Sequence, residues 1–205
     1  MFIHRLNIIA YFFLYVNSFL KFFIRGLNKD ENMVKYNKKI KTTGKVVIML
    51  KEILSGESCA ACRVCCVFDR EDCWEMPLIT PALAKEIEKE MPDVIIRKTG
   101  QCGVFEAEYG ADGLAKCPML TENGCALGEK KPFDCQIWPF RVMRKRNLLL
   151  LTLSPVCETV SELSVSKISG FAVKIADKIF EEARENPETV KDYIDGYPVF
   201  AVRES

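Results

Sequence analysis

A short run in the first third of the chain holds four cysteines and constrains the fold more than any other feature. It reads Cys59-Ala60-Ala61-Cys62-Arg63-Val64-Cys65-Cys66. Spacings of this kind let successive thiolates face one centre, because a tight turn points both sulfurs inward and exposes backbone N–H groups to them. Zinc knuckles and iron–sulfur loops share this design. The run therefore predicts the core of a metal or iron–sulfur site.

The fourth cysteine of the run departs from the bacterial ferredoxin pattern. A ferredoxin loop continues with C-x₃-C-P, whereas Cys66 follows Cys65 directly. Two adjacent cysteines do not easily pair in a disulfide or face one ion with good geometry. We expect Cys65 and Cys66 to serve different sites, or one of them to pack or to bridge.

The chain of 205 residues has 10 cysteines and a single histidine, His4, which lies outside the cysteine region. Zinc sites that need histidine and hydrolase centres of the Ser/His or Cys/His type are therefore excluded there. A disulfide framework is the alternative, but it is typical of small secreted domains, and we expect no signal peptide here. A second group of cysteines lies downstream: Cys117, Cys125, Cys135 and Cys157. Eight thiolates suit two four-coordinate sites, or one cluster and a partly exposed centre.

Composition points to an ordinary globular protein, with 49% hydrophobic and 28% charged residues. The net charge of +1 gives no strong signal for nucleic-acid binding. A protein partner stays open, and membrane association is open only through residues 6–24. One local basic cluster comprises Arg141, Arg144, Lys145 and Arg146. We predict that it forms a solvated hairpin turn, with a nucleic-acid contact as the alternative.

The chain divides into three parts: a hydrophobic and then basic extension (1–48), a cysteine-cluster domain (49–160) and a C-terminal helical segment that packs on it (161–205). Residues 6–24 approach the length of a membrane span but contain interrupting polar residues. Two interpretations stay open. Residues 6–24 are a membrane anchor, or the native protein starts at Met33 or Met49 and the assigned start lies too far upstream. If 6–24 insert, the positive-inside rule places the cysteine domain in the cytoplasm. We expect a cytoplasmic protein, anchored through 6–24 or not.

Local patterns predict an α+β fold, a small cysteine-rich domain stapled by metal, with short strands and flanking helices. Thr80 and Pro81 are typical of a helix start, and Pro92 of its end. Short strands are expected around 95–96, 104–105 and 148–153. After Cys157, apolar residues recur at helical spacing and predict a helix. Asn186-Pro187 ends it and starts a short second helix, which is expected to run to about Tyr193. The recurring residues are Ile168, Phe171, Ala172, Ile175 and Ile179.

Several ordered motifs resemble those of the CxxCxxCC cysteine-cluster family, the zinc- or iron-chelating domain family. Besides Cys59 to Cys66, the chain has Cys117-Pro118-Met119-Leu120, Asn123-Gly124-Cys125-Ala126-Leu127 and Lys131-Pro132-Phe133-Asp134-Cys135-Gln136-Ile137-Trp138-Pro139-Phe140. These are similar to the family's CPFL, GxC and RPxxCRxFPF elements, over about residues 57 to 160. Lys131 and Gln136 stand where the family usually has arginine.

The resemblance implies a set of eight chelating residues: Cys59, Cys62, Cys65, Cys66, Cys117, Cys125, Cys135 and Cys157. A similar cluster in flagellin lysine methylases hints at a redox or methyl-transfer setting, although no glycine-rich nucleotide loop is present. Cys73 and Cys102 fall outside the family pattern, and we expect them to be free or packed thiols.

The bound group is either an iron–sulfur cluster or zinc, because both accept four thiolates. The ferredoxin-like spacing favours iron–sulfur. Three functions follow: an accessory or electron-transfer module, an enzyme that modifies a protein by methyl transfer or a similar reaction, and a structural zinc module that binds a partner.

Overall fold

The computed structural model of this protein describes residues 50–54, 56–69 and 74–205. The extension 1–48, its segment 6–24 and Cys73 lie outside these residues. The helices are α1 (Gly56–Cys62), α2 (Pro81–Glu90), α3 (Phe133–Ile137), α4 (Glu158–Ser161) and α5 (Val165–Glu185). The strands are β1 (Val67–Phe68), β2 (Ile96–Thr99), β3 (Cys102–Phe105), β4 (Ala115–Lys116), β5 (Leu120–Thr121), β6 (Gly124–Cys125), β7 (Phe140–Lys145), β8 (Leu148–Leu153), β9 (Lys191–Asp192) and β10 (Val199–Glu204). Short 3₁₀ helices span Leu50–Glu52, Val64–Cys66, Gly128–Lys130 and Pro187–Thr189.

The main sheet has four strands in the order β10-β8-β7-β9. β7 and β8 form a hairpin that turns at Arg146-Asn147, where Arg146 adopts a left-handed φ of 58°. A positive φ in a two-residue turn matches the twist of the flanking strands. The apolar run 148–153 forms β8, as predicted, and its side chains are mostly buried.

Helix α5 covers this sheet with the apolar face that its sequence pattern predicts. Ser164 accepts a hydrogen bond from the backbone N–H of Lys167 at 3.3 Å, so a capping residue fixes the start of the helix. Ile168, Phe171 and Ile179 are buried in one core with apolar residues of β7 and β8. Cys157 belongs to the same core, so the helix packs against part of the cysteine region.

The prediction that 161–205 is only helical is incomplete. The helix ends at Glu185, and the 3₁₀ helix that follows stops at Thr189 instead of continuing to about Tyr193. β9 then runs parallel to β7, and β10 runs antiparallel to β8. The C-terminal part therefore completes the main sheet as well as covering it.

Helix α2 and three two-stranded sheets form the middle of the chain. The hydroxyl of Thr80 accepts a hydrogen bond from the N–H of Leu83 at 3.3 Å, which confirms the predicted helix start. The small sheets pair β1 with β4, β2 with β3 and β5 with β6. A second core lies here, formed by Ile79, Ile87, Phe105, Met119 and Leu127.

Helices and mostly antiparallel strands thus make up an α+β fold, as the sequence predicts. Among the described residues, no helix combines the length and apolar character that crossing a bilayer requires.

Replacing Phe180 by Ala tests the α5 core. Phe180 is fully buried on the inner face of α5, and removal of a buried ring costs about 3–5 kcal/mol. We expect that loss in the free energy of unfolding, measured by urea denaturation. The matched control is Val173→Ala on the same helix, where the side chain is 64% exposed. Equal unfolding midpoints for the two variants would contradict the described packing.

Candidate metal centre

The first four cysteines lie on a helix and a turn that follow each other closely. Cys59 and Cys62 are three residues apart on α1, and Cys65 and Cys66 lie in the 3₁₀ helix after it. Arg63 separates the two pairs with a left-handed φ of 56°, which changes the direction of the chain. Its guanidinium donates to the backbone oxygen of Glu122 at 2.7 Å. The run is thereby fixed to the turn that precedes Cys125.

Backbone pairing brings the downstream cysteines to the first run. β1 and β4 pair with Val67 opposite Lys116, and the N–H of Cys117 donates to the C=O of Cys66 at 2.8 Å. Cys125 follows in β6, held opposite Leu120. Two groups that are about fifty residues apart in sequence therefore share one small region.

The last two candidate ligands come from short helices. Cys135 lies in α3, where its N–H donates to the C=O of Pro132 at 2.9 Å. Cys157 is the N-cap residue of α4 and is buried in the main core.

Five of the eight predicted ligands line one small cavity of about 70 Å³: Cys65, Cys66, Cys117, Cys125 and Cys135. The sulfurs of Cys65 and Cys66 are 3.8 Å apart. The adjacent thiols therefore line the same cavity. A left-handed Arg63 followed by a 3₁₀ turn makes this arrangement possible. The expectation that they serve different sites, or that one of them packs or bridges, stays a prediction.

The other three predicted ligands lie beside this group. The pKa of Cys59 is raised by burial and then by the neighbouring Cys157 thiol, with smaller contributions from Cys62 and Cys66. Burial likewise raises the pKa of Cys157, and the Cys62 thiol adds to it. Cys59, Cys62 and Cys157 therefore lie close enough to influence one another's pKa, and Cys59 is also influenced by Cys66 of the cavity.

Three of the cavity thiols, those of Cys65, Cys117 and Cys135, have a raised pKa, which favours their protonated form. Burial raises the pKa of Cys117 to about 12 and the pKa of Cys135 well above its usual value. The hydrogen bond between the adjacent thiols raises the pKa of Cys65 and lowers the pKa of Cys66 to about 7. A metal that binds here must displace these protons, because thiolate is the ligating form.

Lys131 supplies positive charge on the cysteine side of the cavity. It lines the cavity, opposes the burial that raises the pKa of Cys59, and adds to the hydrogen bond from Cys65 that lowers the pKa of Cys66. The CxxCxxCC family, which the sequence resembles, usually has arginine at this position. Here the positive charge comes from the ammonium group of lysine.

Arg141 also lines the cavity, and the prediction that its basic cluster forms a solvated hairpin turn is wrong for this residue. Only 2% of Arg141 is exposed. Its guanidinium stacks 4.9 Å from the ring centre of Trp74 and forms an ion pair with Glu75 at 3.0 Å. Its Nε and Nη1 groups have no hydrogen-bond partner among the described residues. A buried guanidinium with two such N–H groups in a cavity wall fits a negatively charged occupant.

Sequence reasoning missed this charged wall. Besides Arg141, it contains Asp134, which lines the cavity. Lys191 lies behind Asp134, with its ammonium 3.7 Å from the Asp134 carboxylate. The position of Asp134 directly before Cys135 was the only sign of this wall in the sequence. It was too weak to use, because charged residues next to cysteines are common on surfaces.

Cys102 lies apart from the eight predicted ligands, the cysteine constellation. It is buried in β3, and its thiol donates to the backbone oxygen of Glu188 at 3.6 Å. This agrees with the expectation of a packed thiol. All nine cysteines of the described residues are free of disulfides.

Within 50–54, 56–69 and 74–205, no group of three or more cysteine, histidine, aspartate or glutamate side chains is arranged so that it could hold a metal ion. Comparison with known protein families, curated proteins and solved structures finds no match to this chain. The resemblance to the CxxCxxCC family therefore rests on the sequence motifs alone.

Serine substitution distinguishes the constellation from the isolated thiol. We expect Cys135→Ser to reduce the metal content of the purified protein to about a tenth or less, because a lost thiolate weakens both binding and metal-coupled folding. Cys102→Ser is the matched control, since it also removes a largely buried thiol. It should keep full metal content by elemental analysis. Equal metal content in the two variants would show that Cys135 is not a ligand.

Proposed function

We propose that this protein binds an iron–sulfur cluster through its clustered cysteines and acts as a redox or accessory module, working with a protein partner. The observation that carries the proposal is that five thiols line one cavity, with three more nearby. Because no three of these described side chains are arranged to hold an ion as they stand, the proposal requires them to reorient when the cluster binds. The motifs that resemble the CxxCxxCC family support it independently.

The size of the cavity supports a polynuclear cluster. One water molecule needs about 10–15 Å³ on the same measure, and the thiol-lined cavity has about 70 Å³. A single metal ion occupies less space than this. The cavity also has an apolar wall of Phe68, Phe105 and Met119, and such surroundings limit solvent access and tune the potential of a cluster.

The charge of the walls supports the same proposal. An iron–sulfur cluster with its thiolates is anionic, and hydrogen bonds to its sulfurs are one of the ways in which a protein sets its potential. Arg141, which has unpartnered N–H groups among the described residues, and Lys131 both line the cavity. When bound, the cluster supplies electron transfer. The chain's own residues hold it, shield it from water and offset its charge.

The separation of the Cys65 and Cys66 sulfurs favours zinc as a second candidate. Two thiolates on one tetrahedral zinc, each about 2.3 Å from the ion, lie about 3.8 Å apart. The two sulfurs are 3.8 Å apart here. Four cavity thiols around zinc would make a closed structural site that contributes folding free energy.

For both candidates we propose a reducing compartment such as the cytoplasm, because the function requires free thiols. All nine described cysteines are free of disulfides, as this requires.

Spectroscopy of protein purified without oxygen separates the candidates. We expect a brown protein with broad visible absorption, containing iron and acid-labile sulfide in equal amounts, and loss of the colour on exposure to air. Colourless protein with stoichiometric zinc and no iron would overturn the iron–sulfur proposal and support the zinc site. Protein with neither metal, also after anaerobic reconstitution with iron and sulfide, would overturn both.

A further inference from the structure

A wide groove of about 670 Å³ is lined by residues from the β2–β3 hairpin, from β7 and β9, and from the segment 74–78. We propose that this groove binds a small polyanionic molecule through its phosphate or carboxylate groups. Its polar lining consists of Arg97, Lys98, Thr99, Arg144, Lys191 and Asp192. The proposal does not depend on the metal, because the groove and the thiol-lined cavity have no lining residue in common.

The charge of the lining is the first argument. Four cationic side chains and one carboxylate surround the groove. Among the described residues, neither Lys98 nor Arg144 forms an ion pair. Like charges that share a concave surface repel each other, and the surrounding low-dielectric walls concentrate their field. An anionic ligand relieves this repulsion.

The way the cations are brought together is the second argument. Lys98 lies on β2, Arg144 on β7 and Lys191 on β9. These strands belong to two different sheets, so tertiary packing, and not a charged run in the sequence, produces the cluster. The basic patch is therefore a property of the fold.

Two of the cations are held in place. The guanidinium of Arg144 donates to the backbone oxygen of Pro187 at 3.1 Å. The ammonium of Lys191 donates to the backbone oxygens of Trp74, at 2.5 Å, and of Met76. Lys191 is thus anchored, and its charge is partly offset by Asp134, while Arg144 and the exposed Lys98 provide N–H groups for direct contact. Fixed donors bind anions more strongly because little entropy is lost on binding.

The size of the groove and the charge of the chain favour a small molecule over a nucleic acid. Small-molecule sites usually have volumes of about 300–1,000 Å³, and the groove falls in this range. A nucleic-acid surface needs a basic stripe that neutralises many phosphates. The whole chain has a net charge of only +1.

The groove and the thiol-lined cavity lie back to back. Trp74 lines the groove, and it stacks on Arg141, which lines the cavity. Lys191 of the groove pairs with Asp134 of the cavity. One layer of charged and aromatic side chains therefore separates a bound anion from the cysteine constellation.

Isothermal titration calorimetry of the purified full chain, at neutral pH and low salt, tests the proposal with pyrophosphate, citrate and ATP as separate probes. We expect saturable binding of at least one probe, weakened by added salt. The double variant Lys98→Glu/Arg144→Glu should raise its Kd by about tenfold or more, since a charge-assisted hydrogen bond contributes about 1.5–3 kcal/mol. Lys98→Gln alone, at an exposed position, should raise it by about threefold and guards against misfolding of the double variant.

The matched control is Lys167→Glu/Lys178→Glu, which makes the same charge change at two exposed positions of α5. It should leave the Kd unchanged. An equal loss in this control would show that only net charge matters and would overturn the site. Absence of saturable binding for all three probes would overturn it too. A single-stranded oligonucleotide is titrated as a fourth probe, and binding of this probe alone would identify a nucleic-acid surface instead.

Discussion

The hydrogen bond from the Cys117 N–H to the Cys66 C=O joins the two halves of the cysteine set, and the rest of the centre depends on this junction. It extends the short ladder between β1 and β4. Two strands of two residues each are weak when isolated. Their pairing is supported here by the small core of Phe68, Met76 and Ala115 around it. A bound metal that crosslinks the same two segments would stabilise them further.

Charged residues next to the cavity carry a free-energy cost that the fold must offset. Removal of Arg141 and Asp134 from water disfavours both ions unless they are paired. Arg141 is paired with Glu75 and stacked on Trp74, and Asp134 is paired with Lys191. Even so, Asp134 Oδ2 and two Arg141 N–H groups lack hydrogen-bond partners within the described part of the chain. Buried polar groups without partners are rare and call for an explanation such as a redox or catalytic role or a bound ion.

Local signals in the sequence predicted the elements that depend on local contacts. Thr80 and Pro81 specify the start of α2, and the apolar period after Cys157 specifies α5. Spacing and residue type also predicted that the two cysteine groups belong together, and five of the eight cysteines line one cavity. Their role as ligands stays a prediction. The α+β class followed from these elements together.

Contacts distant in sequence explain what was missed. β9 consists only of Lys191 and Asp192, which have no strand-like pattern, and it exists because it pairs with β7 some fifty residues earlier. Arg141 alternates with apolar residues on a strand and reads as exposed, but Trp74 and Glu75 cover it. The shared cavity of Cys65 and Cys66 depends on the left-handed Arg63, a conformation that is uncommon outside glycine.

Native mass spectrometry of the intact 23.4 kDa chain, purified and sprayed without oxygen, tests the central claim most directly. The account predicts a species whose mass exceeds that of the bare chain by one iron–sulfur cluster, or by zinc in the second candidate. The protons that the ligating thiols lose are subtracted from this added mass. A single species at the mass of the bare chain with every thiol protonated, persisting after reconstitution with iron and sulfide and with zinc, would contradict it.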